Sequence, residues 1–395
     1  MSAAILVLNA GSSSLKFALY RATDLVALCR GGIDGIGKSA RLKLSEAPPA
    51  VIAAVGDAPA DEGHDGIKAW LIAKLEAAFP DVQLAAAGHR VVHGGREFAE
   101  PVVVTQEIVS RLEAFIPLAP SHQPHNLASI RAVSARWPGL PQVACFDTEF
   151  HRTQPRIAQL FALPRALSDD GILRYGFHGL SYEYIADALP GIAGARAEKR
   201  VIVAHLGHGA SMCAMRERRS IATTMGFTAT DGLPMGERCG ALDPGVVLHL
   251  IEQKGLSPDE VADLLNKKSG LLGVSGISDD MRELLASDRV EAREALDLFV
   301  YRAARELGSL MATLGGLDVL VFTAGIGEHA ALLRQRICAA SAWTGIEIDA
   351  AANARHATRI STERSPVAVF IIPTNEELVI ARATRRLTIA EGGRS

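Results

Sequence analysis

Short apolar runs bounded by small polar residues recur along the chain. Ile5–Leu8 leads into Asn-Ala-Gly and three serines, after which Lys16 precedes a second apolar run. This pattern predicts strands over 3–8, 14–20 and 25–30, the first two joined by a Gly-Ser turn. Residues 32–63 are rich in Gly, Ala and Pro with weak periodicity, which predicts loops with room for an edge strand. "IKAWLIAKLEAAF" (67–79) has the spacing of an amphipathic helix. "LAAAGHRVVHGG" (84–95) reads as a strand ending in a glycine turn. Helices are expected from Thr105 and from near Pro124, and "PQVACFDTEFH" (141–151) carries a buried strand up to Asp147.

The second half begins again. "KRVIVAHLGHGASMCAM" (199–215) repeats the opening order of basic flank, apolar strand, glycine-containing turn and apolar strand. "VLVFTAGIGEHAALLRQRI" (319–337) is a third version, with a helix after the turn. "SPDE" (257–260) and "TNEE" (374–377) both fit capping boxes, Ser or Thr at the N-cap and Glu three residues on. Strand–turn–strand units placed once per half predict a duplicated α/β architecture with a cleft between the halves. The boundary falls near 148–155, giving an N-terminal domain over 1–150 and a C-terminal domain over 151–377. The last helix, about 378–395, is expected to cross back to the first domain.

A length of 395 residues suits two or three domains. Apolar residues at 48% and charged residues at 22% are those of a globular protein. The net charge of −3 offers no general attraction to nucleic acid or membrane, so any anion site must be built locally. Five cysteines lie far apart with no C-x-x-C, a pattern of reduced thiols. The N-terminus has neither a basic segment nor an apolar run of signal-peptide length, and no run approaches the roughly 18 residues of a membrane span. A cytoplasmic location is expected.

The opening turn can do chemistry. Small residues let backbone N–H groups approach an oxyanion, hydroxyls add donors, and Lys16 adds a charge. It is not a P-loop, which needs a second glycine before the lysine and a following helix. Alone, it reads as a Ser-rich hairpin turn; three similar turns in one chain favour phosphate, the one at Gly325–Glu328 opening a helix. Arg90, beside His89 and His93, and Arg238, between glycines, suit carboxylate or phosphate better than surface arginines do. His178 is either a satisfied core histidine or, with Ser181 as N-cap of the helix behind it, a group facing the cleft. Asp147 ends an apolar strand, a usual place for an active-site or Mg²⁺-shell acid. Glu377 is explained by capping Thr374, which leaves the functional role to Glu376. The H-x-x-H pairs at 122–125 and 205–208 lack the form of a zinc motif, and no G-x-S-x-G occurs.

Eight segments in order, "NAGSSSLKF", "GHRVVHGG", "FDTEFH", "YGFHG", "HLGHGAS", "MGERCG", "FTAGIGEHA" and "PTNEELVIARAT", resemble the acetate kinase family across about residues 5–384. The resemblance implies the two-domain α/β fold shared with sugar kinases, actin and heat-shock chaperone ATPases, usually as a homodimer. It implies reversible, Mg²⁺-dependent transfer of the ATP γ-phosphoryl group to acetate. Carried over by motif, Asn9 and Glu376 would hold Mg²⁺, Glu376 through water. Ser12, Ser14, Lys16 and the turn His205, Leu206, Gly207, His208, Gly209 would face the phosphates. Asp280, Met281 and Arg282 would lie near the adenosine, with Gly325, Ile326, Gly327, Glu328 and His329. Arg90 would fix the substrate carboxylate in a pocket of Val92, Ser121, His122 and Phe177. His178 and Arg238 would stabilise the transferring group, and Asp147 would be the catalytic carboxylate. The partners so implied are small molecules, with no nucleic acid and no membrane.

Four positions depart from the family pattern. His208 stands for the usual Asn, which would make a phosphate contact pH-sensitive. Glu237 stands for Thr and sets a negative charge beside Arg238. Ser121 stands for Leu and Ala229 for Pro, so a larger, more polar acyl pocket is expected, with better use of propionate or a hydroxylated short acid relative to acetate. Each extra buried methylene is worth about 0.8 kcal/mol. The readings set beside acetate are a propionate or butyrate kinase of the same fold and, in another class, a non-kinase or chaperone-like ATPase.

Overall fold

The computed structural model describes residues 2–11, 14–37, 39–59 and 62–389. Ser12 of the opening turn and residues 390–395 of the expected last helix lie outside that set. The described residues divide into two compact units, those within 2–149 together with 375–389, and 150–374.

The first unit is built on a seven-stranded sheet. In chain order its strands are β1 (Ser2–Ala10), β2 (Ser14–Arg21), β3 (Ala27–Asp34), β4 (Arg41–Glu46), β5 (Val82–Val91), β6 (Val102–Val103) and β7 (Gln142–Phe146). They lie side by side as β4-β3-β2-β1-β5-β7-β6. β1 to β4 form an antiparallel meander, and β5 and β7 run parallel to β1. β1 and β7 are buried on both faces, as the unbroken apolar runs require. β4 is the edge strand, exposed along one side, within the segment whose periodicity was weak.

Helices Pro49–Val55 and His64–Ala78 bury Val51, Val55, Ile67 and Leu71 against Leu6, Leu8 and Phe17 of the sheet. Helix Glu376–Thr388 packs on β1, β5 and β7. It does so closely: a Cβ on Gly88 would stand 2.3 Å from Thr384 Oγ1 and 2.5 Å from Ile380 Cγ2. Its start departs from the expected capping box. Asn375, not Thr374, is the N-cap, its side chain accepting from the Leu378 amide. The Ser257–Glu260 capping box forms as predicted.

The second unit carries β8 (Arg200–Leu206), β9 (Ala210–Arg216), β10 (Arg219–Thr223), β11 (Val319–Thr323) and β12 (Ala368–Ile371). Their order is β10-β9-β8-β11-β12, with an antiparallel meander β8-β9-β10 and β11 and β12 parallel to β8. This reproduces the β3-β2-β1-β5-β7 core of the first sheet, the duplication expected from the repeated strand–turn–strand pattern. The 25-residue helix Val290–Leu314 and the helix Gly179–Ala193 pack on this sheet. The second helix begins at Gly179 with His178 as N-cap, so Ser181 is not its cap. Among the described residues no helix is long and apolar enough to cross a membrane.

Candidate active site

Each unit assembles its own set of polar side chains at its strand ends. In the first unit Asn9, near the end of β1, is 5% exposed, and its Nδ2 donates to Glu376 Oε2 at 2.9 Å and Glu377 Oε1 at 3.0 Å. With both amide hydrogens drawn to carboxylates, Oδ1 is the atom Asn9 can offer a cation. Arg30 Nη2 lies 3.7 Å from Glu377 Oε2. The assignment of Glu377 to capping is therefore corrected: once Asn375 caps the helix, Glu377 is released to share Asn9 with Glu376. Burial pulls the Lys16 ammonium down, but Glu376 and Glu377 more than offset it and its pKa stands above the ordinary value. Asn9, Glu376 and Glu377 offer only oxygen ligands, the donor set of a hard cation such as Mg²⁺. Ser14 closes the opening turn, its carbonyl accepting from the Gly11 amide at 2.8 Å.

The ends of β5 and β7 hold the second feature of this unit. Arg90 donates from Nε (3.0 Å) and Nη2 (2.5 Å) to Asp147 Oδ2, and its Nη1 stands 3.5 Å from the Ala10 carbonyl. Asp147 is 1% exposed, and the Arg90 side chain 13%. Register produces the pairing: Arg90 sits opposite Cys145 in the parallel ladder, and Asp147, two residues on, keeps the same face. Desolvation opposes the Arg90 charge, but Asp147 outweighs it and holds the pKa above the usual guanidinium value. Asn126 ties the strand ends together, Nδ2 to the Ala10 carbonyl (2.8 Å) and Oδ1 from the Val92 amide (3.0 Å). Gln123 clasps the backbone of His93 on both its amide and carbonyl. Val92 is buried, His122 half-buried and Ser121 exposed.

In the second unit His178 sits in the left-handed region at φ 59°. Its Nδ1 meets Ser211 Oγ at 2.8 Å, and its ring stacks on His205 with centroids 4.1 Å apart. Ser181 donates to Thr374 Oγ1, so His205 Nδ1 is the donor in its 2.8 Å contact with Ser181 Oγ. Arg238 donates from Nη1 to the Ala229 carbonyl at 2.6 Å. The His178 ring and the Arg238 guanidinium converge on one glycine: a Cβ on Gly209 would lie 2.6 Å from Arg238 Nη2 and 3.2 Å from His178 Nε2. His151 fixes this arrangement from behind, with Nε2 2.9 Å from the Phe177 carbonyl. Burial holds its pKa down to about 4. Phe177 and Leu206 are buried, so Leu206 supports the turn from the core.

His208 faces outward and meets Asp279 Oδ2 at 2.9 Å. His208, Glu237 and Asp279 bring ligand atoms within 4.8 Å of one another. Asp280 caps the helix Met281–Ala286 and pairs with Arg282, whose hydrogen bonds lower its pKa, while Met281 packs inward. After β11, Ala324 has φ 64° and opens the short helix Ala324–His329. Its first amide is taken by Glu328 Oε1 at 2.9 Å, which also accepts from Thr374 N at 3.3 Å. Gly325 and His329 are exposed, Ile326 half-buried and Gly327 buried.

Sequence reading missed His151, Asn126, Gln123 and Arg334, all buried polar residues that orient others. His151 lies in "FDTEFH" and Gln123 between the histidines of the 122–125 pair, with Asn126 just after it, but nothing in their spacing separates a positioning group from a bystander. A cavity of about 410 Å³ between helix His64–Ala78 and the first sheet, lined by Leu6, Leu19, Leu75 and Trp137, includes none of the candidate residues.

Duplicated sheets of this topology, with the Arg90 fork and an oxygen-ligand cluster at strand ends and Arg238 in a following loop, suit a phosphotransferase. The chain belongs to the acetokinase family, whose profile matches residues 4–382. It is 57% identical over 407 aligned residues to an acetate kinase of Rhodopseudomonas palustris, covering 100% of both chains. It is 48% identical to an acetate kinase of Rhizobium meliloti, covering 98% of this chain and 99% of that one. Among solved structures, a propionate kinase of Francisella tularensis superposes with a TM-score of 0.86 at 37% identity, over 98% of this chain and 100% of that one. The acetate kinase of Porphyromonas gingivalis gives 0.84 at 35% identity, with the same coverage.

Proposed function

We propose that the protein catalyses reversible transfer of the ATP γ-phosphoryl group to acetate, giving acetyl phosphate and ADP. The observation that carries this is the Arg90 fork. Asp147 fixes it through Nε and Nη2, and the rest of the guanidinium remains to grip a small carboxylate. A carboxylate oxygen attacks phosphorus, the bond to the β,γ-bridging oxygen breaks, and ADP departs with that electron pair. Acetic acid, with a pKa near ~4–5 like that of Glu, is already ionised at neutral pH, so no proton need be removed. Asp147 accordingly acts as an aiming carboxylate for Arg90 and, with Mg²⁺ bound, would orient water on it. Charge spread over the equatorial oxygens of a loose transition state calls for cations and donors already in place. His178 and Arg238, converging at Gly209, are such a set.

Asn9 and Glu376 would hold Mg²⁺, with Glu377 as a further carboxylate beside them. The ion, when bound, neutralises charge on the β- and γ-phosphates. Ser14 and Lys16 at the start of β2 and the His205–Gly209 segment would take the phosphates; Asp280–Arg282 and Gly325–His329 would take the nucleoside. A cytoplasmic homodimer completes the proposal, in keeping with five free cysteines. Acetate is preferred to propionate or butyrate because the curated relatives at 48–57% identity are named acetate kinases. Family membership disfavours a chaperone-like ATPase.

The test runs the reaction in reverse. Purified protein, ADP and Mg²⁺ are given acetyl, propionyl or butyryl phosphate, and ATP formation is followed. Highest kcat/KM with acetyl phosphate supports the assignment. A maximum at propionyl phosphate would instead favour the enlarged pocket expected from Ser121 and Ala229.

A further inference from the structure

Arg334, in the helix Ala331–Ala340, is 0% exposed, and the described residues place no carboxylate against it. None of its hydrogen-bond partners is a carboxylate. Nη1 donates to the carbonyls of Gly327 and Glu328, both at 2.9 Å. Nε donates to Asn353 Oδ1 at 2.8 Å, and Nη2 to the Asn353 carbonyl and to His356 Nδ1, both at 3.0 Å. Desolvation brings its pKa down to about 10, well within the charged range at neutral pH. A buried cation without a counterion is costly, and an apolar residue of similar volume would fill the same space. What an apolar residue cannot do is hold two consecutive carbonyls at the end of the Ala324–His329 turn. Those groups have no partner within so short a helix, and they carry its partial negative charge.

The other end of the same turn is fastened separately. Ala324 is held at φ 64° while its amide and that of Thr374 share Glu328 Oε1. Asn353 locks Arg334 in place, since its Nδ2 reaches back to the Ala331 carbonyl at 2.8 Å. The turn is thus pinned from beneath by one guanidinium and its outer side left open. Gly325 is exposed, and a Cβ added there meets nothing within 4 Å.

We infer that Arg334 is a positioning residue for nucleotide binding, holding the Gly325–His329 turn in register through the Gly327 and Glu328 carbonyls. The inference rests on the proposed nucleotide role of that turn. Arg334 touches no ligand itself; it acts by fixing backbone that does. Lysine can replace at most one arm of the fork, and methionine none.

Three variants, Arg334→Lys, Asn353→Ala and Gly325→Phe, are compared with the parent by calorimetric titration of ATP, by KM for ATP and acetate, and by melting temperature. Arg334→Lys should raise Kd and KM for ATP about 10- to 100-fold, with the acetate KM changed less than about twofold. Asn353→Ala should move ATP affinity the same way by a smaller factor, and it decides the matter if Arg334→Lys does not fold. Folded variants that bind ATP like the parent overturn the inference, as does an acetate KM rising in step with that for ATP. Gly325→Phe separates the two layers, because its side chain projects from the turn into open space. Loss of ATP binding there, with Arg334→Lys unaffected, removes only the positioning role. Retained ATP binding in Gly325→Phe removes the nucleotide reading of the turn and this inference with it.

Discussion

Replacing Asp147 by Asn keeps the shape of the side chain and removes its charge. In the parent, one carboxylate oxygen accepts two guanidinium hydrogen bonds, at 3.0 and 2.5 Å, in a site where Asp147 is 1% exposed. Hydrogen bonds between charged partners contribute about 1.5–3 kcal/mol, and those with a neutral partner about 1 kcal/mol. Two weakened bonds therefore cost about 1–4 kcal/mol, or about 5- to 900-fold in whatever depends on the aim of Arg90. Acetate kcat/KM should fall by that factor in an assay trapping acetyl phosphate as hydroxamate. Because the acceptor is already ionised, the shape of the pH–rate profile should not change, while the Mg²⁺ dependence should. Loss of the acid limb of that profile, with the Mg²⁺ response intact, would show Asp147 to be a general base and refute this reasoning.

Gly209→Ala places a methyl group 2.6 Å from Arg238 Nη2, so kcat should drop at least about tenfold while the melting temperature stays near that of the parent. Glu376→Gln should raise the Mg²⁺ concentration for half-maximal rate about 10- to 100-fold, the range for disturbed metal shells; Glu377→Gln should act in the same direction but less, and unchanged titrations would remove the metal assignment. Burial holds His89, His93 and His151 down to about 4. Between their unfolded value near ~6.5 and that value only the unfolded chain takes up protons, so stability falls as pH drops through this window. The slope is about 1.4 kcal/mol per pH unit for each site. Guanidinium melts at pH 7 and pH 5 measure it, and a flat response would contradict the burial of these rings as neutral groups.

Periodicity exposed the hairpin β1–β2 and its repeat β8–β9 because each is an apolar run broken by one glycine turn. Arg90 and Asp147 were visible as strand-end residues. Their pairing was not, since it depends on the register of β5 against β7 across the intervening β6 and helices Gln106–Glu113 and Gln123–Arg136. Glu377 was misjudged because "TNEE" contains two possible caps one residue apart, and Asn375 serves. The other helix starts three residues earlier than expected, at its cap His178, which put Ser181 inside it and left it to hydrogen-bond His205 and Thr374. His151 and Arg334 left no trace in the pattern, for a buried side chain satisfied by distant carbonyls has no local spacing of its own.

The most direct test of the whole account incubates the protein with ATP, Mg²⁺, acetate and hydroxylamine and measures ADP and acetyl hydroxamate together. Equal amounts of the two, both abolished by Arg90→Ala, are the predicted result. ADP released without hydroxamate, or hydroxamate formation that survives Arg90→Ala, would contradict transfer to a carboxylate held by that guanidinium.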